Sequence, residues 1–266
     1  MAESLLLDVD DRGVATLTMN RPDVRNAFDG ALIGAMTERL MEIREREDVR
    51  AVVITGAGKC FSAGADINWM RSMAGADEDA NLEDALKLAD LMSTLHDMGK
   101  PTVARVNGHA FGGGVGLVAC CDIAVATKTA KFSFSEVRLG LVPAVISPYV
   151  LDAIGVRHAR RFFLSGEVMC ARKARRTGLV HEVAKPDKLD KAIDHQISML
   201  LLGGPDAIRE CKSLIAMVDG HALAADRALR RRTAEVIAQM RVADEGQEGL
   251  KAFLDKRKPS WVADSK

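Results

Sequence analysis

Apolar residues recur along this chain in two periods. Short runs over 5–9 and 14–19 flank the turn signal Asp10-Asp11-Arg12-Gly13 and predict a β-hairpin. Asn20-Arg21-Pro22 breaks the pattern. From about 29 to 46 the period lengthens, with Leu32, Ala35, Met36, Leu40 and Ile43 on one helical face. Val52-Val53-Ile54-Thr55 reads as a fully buried strand, followed by a glycine-punctuated loop over 56–66. Residues 70–84 are polar and acidic and predict a mobile loop or a frayed helix. A helix is expected over 86–98, a strand over 102–107, a small-residue helix over 112–121, and short extended pieces over 123–126 and 132–135. Helical periodicity then marks 143–154, 159–164, 170–177, 189–202, 206–218 and 222–240, with one late strand at 180–183. Strands and helices alternate first and helices cluster last, which predicts an α/β fold with a helical C-terminal region. The composition shifts softly near 185, suggesting a division into 1–185 and 186–266. No Pro/Ser-rich linker separates the two, and no repeat of about 20–50 residues stands out.

Composition narrows the class. Lys and Arg number 37, as do Asp and Glu, so a general nucleic-acid or anionic-membrane binder is disfavoured. Hydrophobic residues at 48% and charged residues at 28% describe an ordinary globular chain with ample core. No apolar run approaches the ~18 residues that span a bilayer. The opening MAESLLLDVDDRG has no basic or Arg-rich stretch, so the expectation is no leader and a cytoplasmic location. Five cysteines without CxxC spacing fit reduced thiols, not a disulfide frame or a zinc site.

Two glycine loops carry the chemical signal. Lys59–Ile67 (KCFSAGADI) follows a buried strand and is built of small residues. It reads as a tight turn, or as a place where a ligand approaches the backbone closely. Asn107–Gly116 (NGHAFGGGVG) joins a strand to a helix start. Contiguous glycines there serve close packing, or present free N–H groups at the positive end of a helix. The spacing fits neither a dinucleotide fingerprint nor a P-loop. Taken together, one N–H from each loop converging on a thioester carbonyl would stabilise an enolate oxygen, each worth about 3–4 kcal/mol.

With these loops in view, the chain resembles the enoyl-CoA hydratase/isomerase (crotonase) family. The resemblance rests on NRPDVRNAF (20–28), GKCFSAGADI (58–67), PTVARVNGHAFGGGVGLVACCDIAVA (101–126), FSFSEVRLGLVP (132–143) and SGEVMCARKARRTGLVHEV (165–183). It implies a spiral of ββα units with a helical C-terminal trimerisation region, and assembly as a homotrimer or dimer of trimers. It implies an acyl-CoA thioester substrate, with coenzyme A part of the substrate and no separate cofactor or metal. By position, the N–H groups of Ala65 and Gly113 resemble the oxyanion hole. Ala63, Ala65, Asp66, Ile67 and Gly112 resemble the segments lining the coenzyme. Arg25 falls where the family places a base near the phosphates. Phe253 and Lys256 resemble the C-terminal piece that reaches the nucleotide end, although an amphipathic terminal helix explains them equally.

The family's pair of catalytic glutamates is represented here by one, Glu136, between two apolar runs where burial would raise its pKa. The other position is Gly116, a departure that leaves either Glu136 performing both proton transfers or another group assisting. A double-bond isomerase working with one carboxylate therefore stays open. Leu141–Val150 (LVPAVISPYV) also departs from the common PGxGGTQ form. Together with GGGVGLVACCD it resembles the methylglutaconyl-CoA and isohexenylglutaconyl-CoA hydratase branch, whose substrates carry a second carboxylate. Arg71 and Arg138 are candidates to meet it, though each also reads as a surface charge. Tyr149 belongs to the acyl pocket or to the core. Asp122 reads as structural, His109 as a loop histidine, and Cys120 and Cys121 as core filling. A non-catalytic acyl-CoA binder, or an RNA binder using the cluster Arg227–Arg232, is the reading from another class; a helix surface accounts for that cluster better.

Overall fold

The computed structural model of the chain describes residues 3–219 and 227–259. Its opening hairpin is β1 (Leu5–Val9) and β2 (Val14–Met19), paired antiparallel from Leu5 opposite Met19 to Val9 opposite Ala15. Helix α1 (Gly30–Glu45) follows, with the Asp29 carboxylate accepting from the Leu32 N–H at its start. A strand–strand–helix rhythm then begins. It runs β3 (Ala51–Gly56), β4 (Cys60–Ser62), α2 (Ile67–Ala74) and α3 (Glu78–His96); then β5 (Thr102–Val106), β6 (His109–Phe111) and α4 (Gly113–Cys120); then β7 (Ile123–Thr127), β8 (Lys131–Ser133) and α5 (Ser147–Ser165). The chain continues through β9 (Met169–Cys170), α6 (Ala171–Thr177) and β10 (Glu182–Ala184). Four helices close it: α7 (Leu189–Leu201), α8 (Pro205–Asp219), α9 (Arg227–Val242) and α10 (Asp244–Leu254).

The first strand of each unit joins a six-stranded sheet ordered β1-β2-β3-β5-β7-β10, and the second joins a four-stranded sheet ordered β4-β6-β8-β9. Winding between the two sheets makes the spiral of the crotonase fold. All six residues of β3 are buried because helices cover both faces of a parallel sheet. Alternation decides which cover each residue meets. Val52 and Ile54 enter the main core with Leu17, Leu40 and Leu91, whereas Ala51 and Val53 face Ile193 and Ile197 of α7. Ala234 and Ile237 of α9 and Leu250 of α10 sit in that same main core.

Several expectations need correction. The acidic stretch at 70–84 is helical, the end of α2 and the start of α3. Asp66 and Asp77 cap the two helices, and the buried Asn81 amide donates to the carbonyls of Met73, Ala76 and Asp77 at the junction. Its polar side chains satisfy backbone groups that would otherwise be orphaned. The two helical runs expected at 143–154 and 159–164 are the two halves of α5, separated at Gly155 by a φ of 71°, and the first begins at 147 instead of 143. Strands β4 and β6 lie inside the two segments read as loops, so His109 is a strand residue. The late strand lies at 182–184, and 222–226 of the expected last helix lies outside the described residues. No helix among the described residues is long and apolar enough to cross a membrane.

Candidate active site

The two glycine segments meet. Gly64, at φ 85°, lies so close to the second segment that a Cβ there would stand 2.9 Å from the Phe111 carbonyl oxygen. The first segment is pinned to the 20–28 loop by a parallel bridge between Phe28 and Ala65: the Phe28 N–H donates to Gly64 O at 2.7 Å and the Asp66 N–H to Phe28 O at 2.7 Å. Such a bridge uses the groups flanking Ala65 and turns Ala65's own N–H to the opposite side. Gly113 is the first residue of α4, so its N–H has no acceptor within the helix, while Val115 and Gly116 donate back to the Gly112 carbonyl. Both N–H-bearing residues line one cavity of about 320 Å³, together with Ala63, Gly112 and Glu136.

Arg21 holds this arrangement together, and sequence reasoning missed it. Its guanidinium bonds Asp66 at 3.0 Å, Asp29 at 2.9 Å and the Ala27 carbonyl at 2.7 Å. One side chain thus ties the 20–28 loop to the residue after Ala65. The buried Asn26 amide adds bonds to the carbonyls of Ala57 and Cys60. Two left-handed residues in a row, Arg25 and Asn26, were the sign of a backbone built for a purpose, but φ is not readable from a sequence without glycine.

Glu136 opens a 3-10 turn, Glu136–Leu139, after β8. Its Oε1 lies 3.2 Å from where a Cβ on Gly112 would stand, and Gly112 has a φ of 50° that favours glycine in any case. Its Oε2 is buried and has no hydrogen-bond partner among the described residues. Burial pushes the carboxyl from 4.5 up to about 7, against a smaller lowering by its own backbone N–H. The group is therefore close to half ionised at neutral pH, as a proton shuttle requires.

The rest of the cavity is mostly apolar: Trp69, Met70 and Met73 from α2, Leu139 from the turn and Leu141–Ile146 after it, Ile237 from α9, and Leu250 and Phe253 from α10. Ile146 explains Gly116. A Cβ at 116 would overlap Ile146 Cγ2, so the volume open to a second carboxylate is filled by an isoleucine. The two departures seen in the sequence, at 116 and in LVPAVISPYV, are one packing solution.

The other expected site residues fall in different places. Phe253 lines the cavity; Arg25, Asp66, Ile67 and Lys256 do not. Arg25 is exposed, and its carbonyl accepts from the Ala63 N–H. Asp66 caps α2 and pairs with Arg21. Ile67 is half exposed, and Lys256 lies just past α10. Tyr149 is buried outside the cavity against His96, with ring centroids 5.1 Å apart. Asp122 is structural: it accepts from the Thr102 N–H and hydroxyl and pairs with Lys212 at 2.7 Å. Cys120 and Cys121 are buried. Arg71 bonds its neighbour Asn68 on the surface of α2, whereas Arg138 reaches the cavity wall. Arg241, not anticipated, lines the cavity as well. Among the described residues no cluster of three or more His, Cys, Asp or Glu could hold a metal.

A sequence pattern described as enoyl-CoA hydratase/isomerase matches residues 10–264. The chain belongs to the enoyl-CoA hydratase/isomerase family. It is 33% identical to the 2,3-dehydroadipyl-CoA hydratase of Escherichia coli, over 93% of this chain and 94% of the relative. A solved enoyl-CoA hydratase from Shewanella pealeana superposes with a TM-score of 0.80 at 43% identity, covering 97% of this chain and 96% of that one. Another, from Mycobacterium avium, gives a TM-score of 0.86 at 35% identity over 98% of this chain and all of that one.

Proposed function

We propose that this enzyme reversibly hydrates a 2-enoyl-CoA thioester whose acyl group is branched at C3 and carries a second carboxylate, of the methylglutaconyl-CoA or isohexenylglutaconyl-CoA kind. The observation that carries the reading is the Glu136 carboxyl beside the N-terminus of α4, whose buried Oε2 has no hydrogen-bond partner among the described residues. The Glu136 carboxylate takes a proton from water as the water oxygen bonds C3. The C2–C3 π electrons move to C2 and the thioester oxygen, where the N–H groups of Ala65 and Gly113 receive the developing charge. The protonated Glu136 then gives its proton to C2 as the enolate collapses. One carboxylate completes the cycle and ends ionised, which suits a site where Ile146 occupies the second position. Support for a dicarboxylic acyl group comes from the 2,3-dehydroadipyl-CoA hydratase relative, whose name specifies one. The enzyme acts as a homotrimer or a dimer of trimers.

A second reading is favoured by the same Gly116–Ile146 packing: a single carboxylate also suffices to move a proton between carbons in a double-bond isomerase. Turnover of crotonyl-CoA, 3-methylcrotonyl-CoA and 3-methylglutaconyl-CoA in heavy-oxygen water decides between them. Labelled hydroxyacyl product, fastest with the dicarboxylic ester, supports the proposal. A shifted double bond without label refutes it in favour of isomerisation. Acyl-CoA binding without turnover of any ester would refute both.

A further inference from the structure

Two arginines that hydration itself does not use, Arg138 and Arg241, line the cavity. Arg241, on α9, lines the cavity together with the apolar residues Trp69, Met73, Ala85 and Ile237. Its guanidinium is held from two sides. Nη1 donates to Asp84 Oδ2 at 3.0 Å and reaches Asn81 Oδ1 at 3.5 Å, and the guanidinium carbon stands 5.6 Å from the centre of the Trp69 ring. Asp84 is fixed in turn by the Trp69 indole N–H at 3.1 Å. Among the described residues every side-chain acceptor of Arg241 falls on Nη1, and neither Nε nor Nη2 is a buried group without a partner. Planar N–H donors thus remain on a cation whose orientation is already fixed.

We propose that Arg241 receives the second carboxylate of the substrate, at the end of the acyl chain remote from the thioester. This rests on the substrate class proposed above. A neutral enoyl chain would be served by an apolar wall, and an ion pair set into such a wall is costly to desolvate. A carboxylate brought by the ligand turns that feature into a charge-assisted, two-pronged contact while Asp84 keeps the guanidinium in place. Arg138 fits the role less well. It is exposed on the catalytic turn, and its Nε lies against Gly166, 3.0 Å from where a Cβ would stand.

The test compares wild type, Arg241→Gln and Arg241→Lys on 3-methylglutaconyl-CoA and 3-methylcrotonyl-CoA, which differ only in the distal carboxylate. The readout is the ratio of the two kcat/KM values, so any general loss of activity divides out. The ratio is expected to fall about 10–100-fold in Arg241→Gln, mostly through KM. Arg241→Lys, which keeps the charge without the fork, is expected to fall between. It also answers the question if the glutamine variant fails to fold. An unchanged ratio in a folded variant, beside a wild type that prefers the dicarboxylic ester, overturns the assignment of Arg241 alone. A wild type that hydrates 3-methylcrotonyl-CoA at least as well as 3-methylglutaconyl-CoA overturns the substrate class, and Arg241's role with it.

Discussion

Replacing Glu136 by glutamine is expected to stabilise the fold, and increasingly so as pH rises. Burial raises the carboxyl from 4.5 to about 7. In the unfolded chain the group returns to its ordinary value, so the folded state binds the proton more tightly. Below the unfolded value both states are protonated and the group costs nothing. As pH rises from there the unfolded chain ionises first and stability falls, until the folded carboxyl also ionises above about 7 and the loss levels off. A shift of about 2.5 units corresponds to a full penalty of about 3.4 kcal/mol. Only about 0.8 kcal/mol of it has developed at about pH 5, and nearly all by about pH 8.5. Glutamine keeps the shape and cannot ionise. The stability gap between variant and wild type should therefore widen by about 2.5 kcal/mol over that interval. Any fixed difference between an amide and an acid cancels. Urea denaturation of both proteins at four pH values reads the gap directly. In thermal scans it corresponds to a relative shift of about 5–10 °C. Parallel stability–pH curves would mean that Glu136 is solvated, and the argument for a carboxyl tuned to shuttle protons would fall with it.

The same variant is expected to lose turnover by about 10²–10⁴-fold while still binding acyl-CoA, measured by single-turnover kinetics and calorimetry. In the wild type, kcat/KM should rise with pH through about 7 to a plateau for both hydration and dehydration, because the same carboxylate starts both directions; a bell-shaped profile would require a second acid. Gly116→Glu should cost about 1–3 kcal/mol by urea midpoint through its overlap with Ile146, and adding Ile146→Ala should recover most of it; additive losses would show that the two sites are not coupled. Arg21→Met strips Asp66 and Ala27 of a partner, and is expected to cost about 2 kcal/mol and to lower kcat more than it raises KM; an unchanged kcat would separate Arg21 from the placement of Ala65. The proposed trimer should appear by light scattering as three chain masses, and Leu202→Glu with Ile215→Glu, two apolar residues 81% and 68% exposed, should reduce it to one.

The large sheet was legible because its inner strands are covered on both faces. A parallel strand such as β3 must then be a continuous apolar run, and Val52–Thr55 is one. The small sheet was not. Strands β4 and β6 have three residues each and sit among glycines whose small size serves the site, so no period can develop. Helices α2 and α3 were hidden for another reason: Asp66, Asp77 and Asn81 are polar because they cap and staple backbone groups, a use that hydropathy scores as exposure. Glu136 and the two glycine loops could be found because each is local in the chain. The Arg241–Asp84 pair spans 157 positions and becomes visible only when α9 lies against α3.

That distance along the chain bears on what makes Glu136 a catalyst. The 3-10 turn carrying it is too short to bury its own first residue. The C-terminal helix α10 packs on the other end of that turn. A Cβ on Gly249 of α10 would overlap the Leu139 carbonyl, and Gly140 presses on the Glu245 carbonyl, so α10 lies directly on the turn. Leu250, Phe253 and Ile237 then close the apolar wall. The pKa near 7 is therefore not a property of the FSEVRLGL segment, which in isolation would titrate as an ordinary glutamate. It belongs to the folded cavity, where the carboxyl lies against Gly112 at the start of α4 and α10 packs on the rest of the turn. Substitutions at Gly249 that lift α10 off the turn should lower the pKa of Glu136 toward 4.5 and slow turnover while leaving every residue of the proton path in place.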